Sequence, residues 1–450
     1  MPAIMWFRRD LRLRDNPALN AALDASSEGV IPLFVLDPKL WEASGTARQA
    51  YLLASLESLN TSLGGLLHVR RGDPQAVIPE LAKSLGAPSV HIAEDFGPYG
   101  RVRDVNVEAR LGATALVRTG SSYAVSPGRV TKADGSPYRV FTPFHRAWLE
   151  HGWRGPAHAN GSHFISAGDG DPLPARPILR EGLTLPPAGE PAAWDQWHRF
   201  REHHLSGYAS QRDRADLSAS SAMSQYLRWG EIHPRSMLSQ LGDGDATFRK
   251  ELCWREFYAD VLLHSPASAH ESLDSRFDAM PWAHGPDADL AFERWSLGMT
   301  GYPFVDAGMR QLRAEAWMHN RVRMVAASFL VKDLHLPWQL GAGWFMKELR
   351  DADLASNAHG WQWVAGCGTD AAPFYRVFNP VLQGLKFDPD GDYVRRYVPE
   401  LAHLSGPAAH EPWKFNDGYA AGYPARCVDH AAERLVALED YATIRQPTSH

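Results

Sequence analysis

Three segments of the C-terminal half pack indole, charged and amide side chains into a few residues each. They are Glu251-Leu252-Cys253-Trp254-Arg255-Glu256-Phe257, Trp317-Met318-His319-Asn320-Arg321-Val322-Arg323-Met324, and Asp351-Ala352-Asp353-Leu354-Ala355-Ser356-Asn357 running on to Trp361-Gln362-Trp363. An apolar helix needs no such mixture. A site that holds one flat group, stacks another beside it and passes charge between them does. Glu251 and Trp254 stand at i and i+3, and Asn320 and Met324 at i and i+4, so each pair shares one helical face. Taken alone, the first pair is also what an amphipathic helix with a half-buried Trp carries. Asp351 and Asp353 could begin a metal site, but no carboxylate cluster accompanies them, and no metal is expected. Neither GxxxxGK(S/T) nor GxGxxG occurs, which argues against a P-loop or an ordinary dinucleotide fingerprint. Ser218-Ala219-Ser220-Ser221-Ala222-Met223-Ser224 precedes a helical run. Serines so placed offer hydroxyls and free N–H groups to a phosphate, or simply cap the helix.

These residues must be positioned by 450 residues, a length that favours two domains. Residues 1–125 alternate short apolar runs with helical patterns. Strands are expected at Ala3–Phe7, Val30–Leu36, Leu66–Arg70, Val90–Ala93 and Ala115–Arg118, and helices at Arg48–Leu63, Ala76–Leu85 and Val102–Leu111. That order predicts a parallel, Rossmann-like α/β sheet. Residues 126–195 are rich in Pro, Gly and Ala and read as a connecting segment. Within it, Tyr138–His151 is expected to be a helix docking back onto the first domain. Residues 196–450 read as all-helical, most clearly at Thr247–His264, Phe292–Leu297, Val305–Leu334 and Trp344–Leu349, and hold most of the 16 Trp. Net charge is −6, so any nucleic-acid contact must come from a local Arg/Lys groove. Cys253, Cys367 and Cys427 form no CxxC pair and fit free thiols in a reducing cytoplasm. The N-terminus lacks a signal peptide, no run of 18 apolar residues exists, and a cytoplasmic monomer without a membrane partner is expected.

In wording and order, these segments resemble the DNA photolyase/cryptochrome family, over most of the chain and closest to the class I cyclobutane pyrimidine dimer photolyases. The resemblance implies an α/β antenna domain followed by a helical domain that binds FAD and DNA. It places Tyr208, Ser220, Ser221, Ala222, Met223, Ser224, Arg255, Arg323, Asp351, Asp353 and Asn357 around FAD. The family usually has Thr-Ser-Arg-Leu-Ser-Pro where this chain has Ser220 to Gln225, so one Arg near the phosphates is missing and Arg255 is the expected substitute. Asn357 matches the amide facing flavin N5, where plant-type cryptochromes carry Asp. Glu251 and Trp254 match the contacts to a thymine edge and to the dimer face. Asn320 and Met324 match a dimer-pocket pair that the (6-4) branch replaces with His, and Trp363 matches the second aromatic wall. Arg212, Arg321, Arg376 and Gln383 match DNA contacts. Trp361 and Trp338 match two members of a tryptophan electron-transfer chain, with Trp282 as the nearest candidate for the third. His359 stands where the family commonly has Gly.

Trp6-Phe7-Arg8-Arg9-Asp10-Leu11-Arg12 is close to the family's opening signature. Gly100 replaces the folate-anchoring carboxylate, whereas Asp95 and Arg48 fall at positions of the deazaflavin-binding branch. The implied antenna is 8-hydroxy-5-deazaflavin, ahead of methenyltetrahydrofolate or none. The expected activity is light-driven repair of cyclobutane pyrimidine dimers in DNA. The alternative is a cryptochrome-like blue-light receptor without repair; Asn357, the full pocket set and the lack of a long tail after His450 weigh against it.

Overall fold

The computed structural model describes residues 1–158, 161–370 and 375–445. Five strands, β1 (Ala3–Phe7), β2 (Val30–Leu36), β3 (His68–Arg71), β4 (Ser89–Glu94) and β5 (Ala115–Ser121), form one sheet in the order β3-β2-β1-β4-β5. Every pair is parallel, with Ala3 opposite Val30 and Ile4 opposite Val90. Parallel neighbours need crossovers. Helices α1 (Pro17–Ala25), α2 (Thr46–Ser62), α3 (Pro74–Ser84) and α4 (Pro98–Arg110) supply them in turn. The sequence pattern misses α1. Its signal is at its start, where Asn16 accepts from the Leu19 N–H and Pro17 takes the first turn.

Strand periodicity of two splits β1 between two cores. Ile4 and Trp6 pack with Ile78, Leu81 and Val107 on one face. Ala3, Met5 and Phe7 lie on the other, in a cluster that runs on through Phe144 and Trp148 to Tyr226 and Phe257. The sheet and the helical half therefore share one buried apolar mass.

The helices that build the rest of the site are α5 (Phe141–His151), α6 (Ser224–Trp229), α7 (Ala246–His264), α8 (Pro286–Leu297), α9 (Pro303–Glu315), α10 (Asn320–Lys332), α11 (Trp338–Glu348), α12 (Leu354–Ala365) and α13 (His430–Arg445). Two expectations need correction. The helix predicted across Val305–Leu334 is two helices. Ala316 adopts a left-handed φ of 50° and ends α9, and His319 then caps α10. The apolar period continues through the break because Leu312 and Val322 are buried on its two sides. The helix expected to dock on the first domain, α5, docks on α7. Phe141 stacks on Trp254, and Trp148 Nε1 donates to Glu256 at 2.6 Å. After α5 the connecting segment runs along the sheet, where Ile165 N–H donates to Val30 O and Asp171 N–H to Val69 O.

The exit of β1 is tied to α6. Leu11 N–H donates to Trp229 O, and Arg12 Nη1 to Gly230 O at 3.0 Å. Gly230 ends α6 with φ 67°, and a Cβ there would overlap the Arg9 carbonyl oxygen. Both features demand glycine. Gly230→Ala should lower stability by about 1–3 kcal/mol from the left-handed backbone alone, and more from the overlap. Thermal unfolding of the purified protein checks this, and an unchanged midpoint would contradict the tie.

Candidate active site

A cavity of ≈ 480 Å³ opens among α6, α7, α10 and α12. Helical spacing explains its wall. Glu251, Trp254 and Tyr258 fall on one face of α7, Asn320 and Met324 on one face of α10, and Asn357 and Trp361 on one face of α12. Two caps set where those faces begin. His319 Nδ1 accepts from Arg321 N–H at 3.2 Å, and Asp353 Oδ1 accepts from Ser356 N–H at 3.0 Å.

Charges around the cavity are mostly paired. Arg323 donates to Asp351 at 2.8 Å, Arg321 to Asp213 at 2.8 Å, and Arg212 to Glu251. Burial pushes the Glu251 carboxyl up, with Arg212 opposing. Burial would also raise Asp353, but Arg9, Arg228 and Arg255 outweigh it and hold that carboxyl well below the usual range. Arg9 makes the direct pair, at 2.6 Å. Asn357 Nδ2 donates to Ala342 O at 3.0 Å, which leaves its side-chain oxygen as an acceptor.

The aromatic groups are fixed from behind. One face of Trp254 lies on Phe141, with centroids 3.5 Å apart and planes 6° apart. The Arg376 guanidinium sits 5.8 Å from the Trp363 ring centre. Trp361 contacts Phe345 and Trp295 edge-on, at 5.0 and 6.1 Å. Three buried polar atoms of lining residues, Arg228 Nη1, Arg321 Nε and Asp351 Oδ1, have no protein partner. A ligand with both acceptors and donors fits that wall.

The comparisons with known proteins agree with this geometry. The family described as DNA photolyase matches residues 3–161, and the FAD-binding domain of DNA photolyase matches residues 248–443. The chain belongs to the DNA photolyase family. It is 39% identical to a deoxyribodipyrimidine photo-lyase of Agrobacterium fabrum, covering 99% of each chain. A solved class III photolyase from Agrobacterium tumefaciens superposes with a TM-score of 0.91 at 38% identity, over 99% of this chain and 98% of that one. A cryptochrome of Synechocystis sp. superposes with a TM-score of 0.88 at 27% identity, over 97% and 98%. FAD is thus the flat cofactor of this photolyase-family enzyme.

Most of the expected site residues line this one cavity: Tyr208, Arg212, Ser221, Met223, Ser224, Glu251, Trp254, Arg255, Asn320, Arg321, Arg323, Met324, Asp351, Asp353, Asn357, Trp361 and Trp363. Others are not brought to its wall. Ser220 and Ala222 lie in the preceding turn, where Ala222 has φ 50° and its carbonyl accepts from Gln225 Nε2 at 2.7 Å. Trp338 is buried and donates to Ser272 Oγ at 3.2 Å, Trp282 is half-buried, and Gln383 lies on the separate helix Pro380–Phe387. Exposed Arg376 meets the face of Trp363.

The two antenna positions also part. Arg48 is buried and donates to Met346 O at 2.5 Å, and burial lowers it to about 10. Asp95 lies at the end of β4 against Arg103, at 3.4 Å, and accepts from Gly97 N–H. Burial would raise its pKa, but Arg103, Arg8 and Arg9 hold it below the usual range.

Sequence reasoning gave no site role to Arg9, Arg228, Tyr258 or Trp295. The spacing of Arg228 four residues after Ser224 could have found it; the other three needed the fold. Among the described residues, no three His, Cys, Asp or Glu side chains gather as metal ligands, and no helix is long and apolar enough to cross a membrane. His359 is buried between Ser268 Oγ and Ala355 O and stacks on Tyr258, and burial lowers it to about 4.

His319 offers a pH test of the site's scaffold. Burial lowers it to about 4 from an ordinary 6.5, and only the form with a free Nδ1 can accept from Arg321 N–H. Its folded value lies below its unfolded one, so its contribution is present above pH 6.5 and is lost as pH falls toward 4. His319→Asn keeps an acceptor that does not titrate. Its melting temperature should fall less steeply than the wild type's between pH 6.5 and 4; parallel curves would refute the assignment.

Proposed function

We propose that the enzyme repairs cyclobutane pyrimidine dimers in DNA when driven by light. One observation carries this reading: Glu251, Trp254, Asn320, Met324 and Trp363 line the same cavity as Asp351, Asp353 and Asn357. Bound FAD, in its reduced form, supplies the light-driven electron. Ser221, Ser224, Arg255, Arg323, Asp351, Asp353 and Asn357 would hold it. Asn357 offers a neutral acceptor, which suits a protonated ring nitrogen without adding charge.

The protein's own groups orient the lesion. Trp254, backed by Phe141, presents one free face, and Trp363 is the opposing indole for bases turned out of the duplex. Glu251 accepts from Arg212 through Oε1. Its other oxygen, Oε2, is left to accept from a base N–H. Arg212, Arg321, Arg376 and Gln383 position the phosphates around the opening. Trp361 would be the proximal member of an indole path for electrons, with Trp338 and the half-buried Trp282 beyond it. The class I placement drawn from the motifs has no support in the solved Agrobacterium tumefaciens structure, which is described as class III. The proposal is therefore cyclobutane-dimer repair without a class.

Among the described residues no histidine lines the cavity. The nearby His319 and His359 are held neutral by burial. A (6-4) lesion needs a proton moved during its rearrangement, and Asn320 and Met324 cannot supply one. DNA carrying one lesion type decides the matter: light should restore cyclobutane dimers and leave (6-4) products. Trp254→Ala should weaken lesion binding about 10- to 100-fold, on a stacking scale of roughly 1–3 kcal/mol per base, at unchanged flavin content. Repair of neither lesion would favour the photoreceptor reading, and repair of (6-4) products would mean the pocket is misread.

We also propose that 8-hydroxy-5-deazaflavin is the antenna. A Cβ at Gly100 would overlap the Asp95 carboxylate, so the segment has no room for a folate-anchoring side chain there. Arg48 lends no support, because it is bound to α11. Reconstitution should show tight deazaflavin uptake that Asp95→Asn weakens about tenfold or more, as for a charged hydrogen bond. Tight methenyltetrahydrofolate uptake in its place would overturn this.

A further inference from the structure

Three guanidinium groups gather around a single carboxylate in the cavity wall. Asp353 feels Arg9, Arg228 and Arg255, and Arg9 takes the one direct ion pair. Arg255 donates only to carbonyls, Ser122 O at 2.8 Å and Leu227 O at 3.3 Å. Arg228 donates through Nε to Ala352 O at 2.6 Å. Its Nη1 is buried without a partner, and among the described residues it makes no ion pair. A buried cation in that state is unfavourable unless an anion joins it. Burial lowers Arg228 to about 9, with Arg9 adding repulsion and Asp353 opposing.

Position supports the same conclusion. Arg228 follows Ser224 by four residues on α6, so the two share a face, and both line the cavity with Ser221. Arg228 and Arg255 together leave two positive charges without a carboxylate partner, which matches the two negative charges of a pyrophosphate.

We propose that Arg228 binds the FAD pyrophosphate, with Arg255 as the second cation. This rests on FAD occupying the cavity. Arg228 is thereby a cofactor-binding residue held ready at a cost to the cofactor-free protein.

The test uses the full chain stripped of FAD and then refilled, with binding followed by flavin fluorescence. Arg228→Gln keeps a donor for Ala352 O but removes the charge, and Arg228→Lys keeps the charge. Arg228→Gln should weaken FAD about 10- to 100-fold, the scale of one charged hydrogen bond, and Arg228→Lys much less. ADP should displace FAD from the wild type better than adenosine does, and Arg228→Gln should erase that preference. The FAD-free Arg228→Gln protein should melt no lower than the FAD-free wild type, because a buried unpaired cation has been removed. Wild-type affinity in Arg228→Gln, or a retained ADP preference with a lower melting temperature, would overturn the proposal. Failure of the wild type itself to rebind FAD would instead remove the FAD reading, and this proposal with it.

Discussion

The carboxylate of Asp353 is the constraint on which the site depends. It caps α12 through Ser356 N–H and meets Arg9, two residues past the end of β1. One buried ion pair thus sets the start of α12 and its distance from the end of the sheet. An isolated carboxylate so enclosed would be strongly unfavourable, and here three guanidinium groups and a backbone N–H offset that. With the first turn of α12 set, Asn357 and Trp361 follow on one face, and Trp363 two residues later turns toward another wall. Gly230 reinforces the link, because its missing Cβ lets α6 lie against the Arg9 backbone.

The cavity joins two chemistries that would conflict if they were mixed. Around Asp353 the wall has spare positive charge and orphan donors, which suit an anionic, hydrogen-bonding cofactor. Around Trp254 and Trp363 it has flat apolar faces with one carboxyl, Glu251, that burial biases toward its neutral form. The nearest histidines are kept neutral by burial and take part in capping and packing. That side of the cavity therefore offers stacking surfaces and hydrogen-bonding groups, with no histidine on its lining among the described residues.

Much of this was legible in the residues themselves. The five strands and most crossover helices follow from short apolar runs and from helical periodicity, and they lie within a few residues of those patterns. Pairs such as Glu251 with Trp254, and Asn320 with Met324, need only the 3.6-residue turn to share a face. Local patterns failed where a single residue overrode the period. The run from Val305 to Leu334 keeps its apolar spacing through Ala316, so periodicity alone sees one helix. Asn16 and Pro17 announced α1 by capping chemistry that hydrophobic spacing does not register.

The sequence by itself determined the element types, the short-range faces and the inventory of aromatic, acidic and amide groups, because those depend on neighbours within about two helical turns. Only the tertiary structure decided which charges are spent and which are free. Arg9, 344 residues from Asp353, becomes its partner. Arg48 is drawn off to a carbonyl of α11, and Arg228 is left with an unpaired buried N–H. It also decided that α5 backs Trp254 rather than the sheet. Pairing and desolvation depend on distances between remote segments, and those are set by packing the shared core.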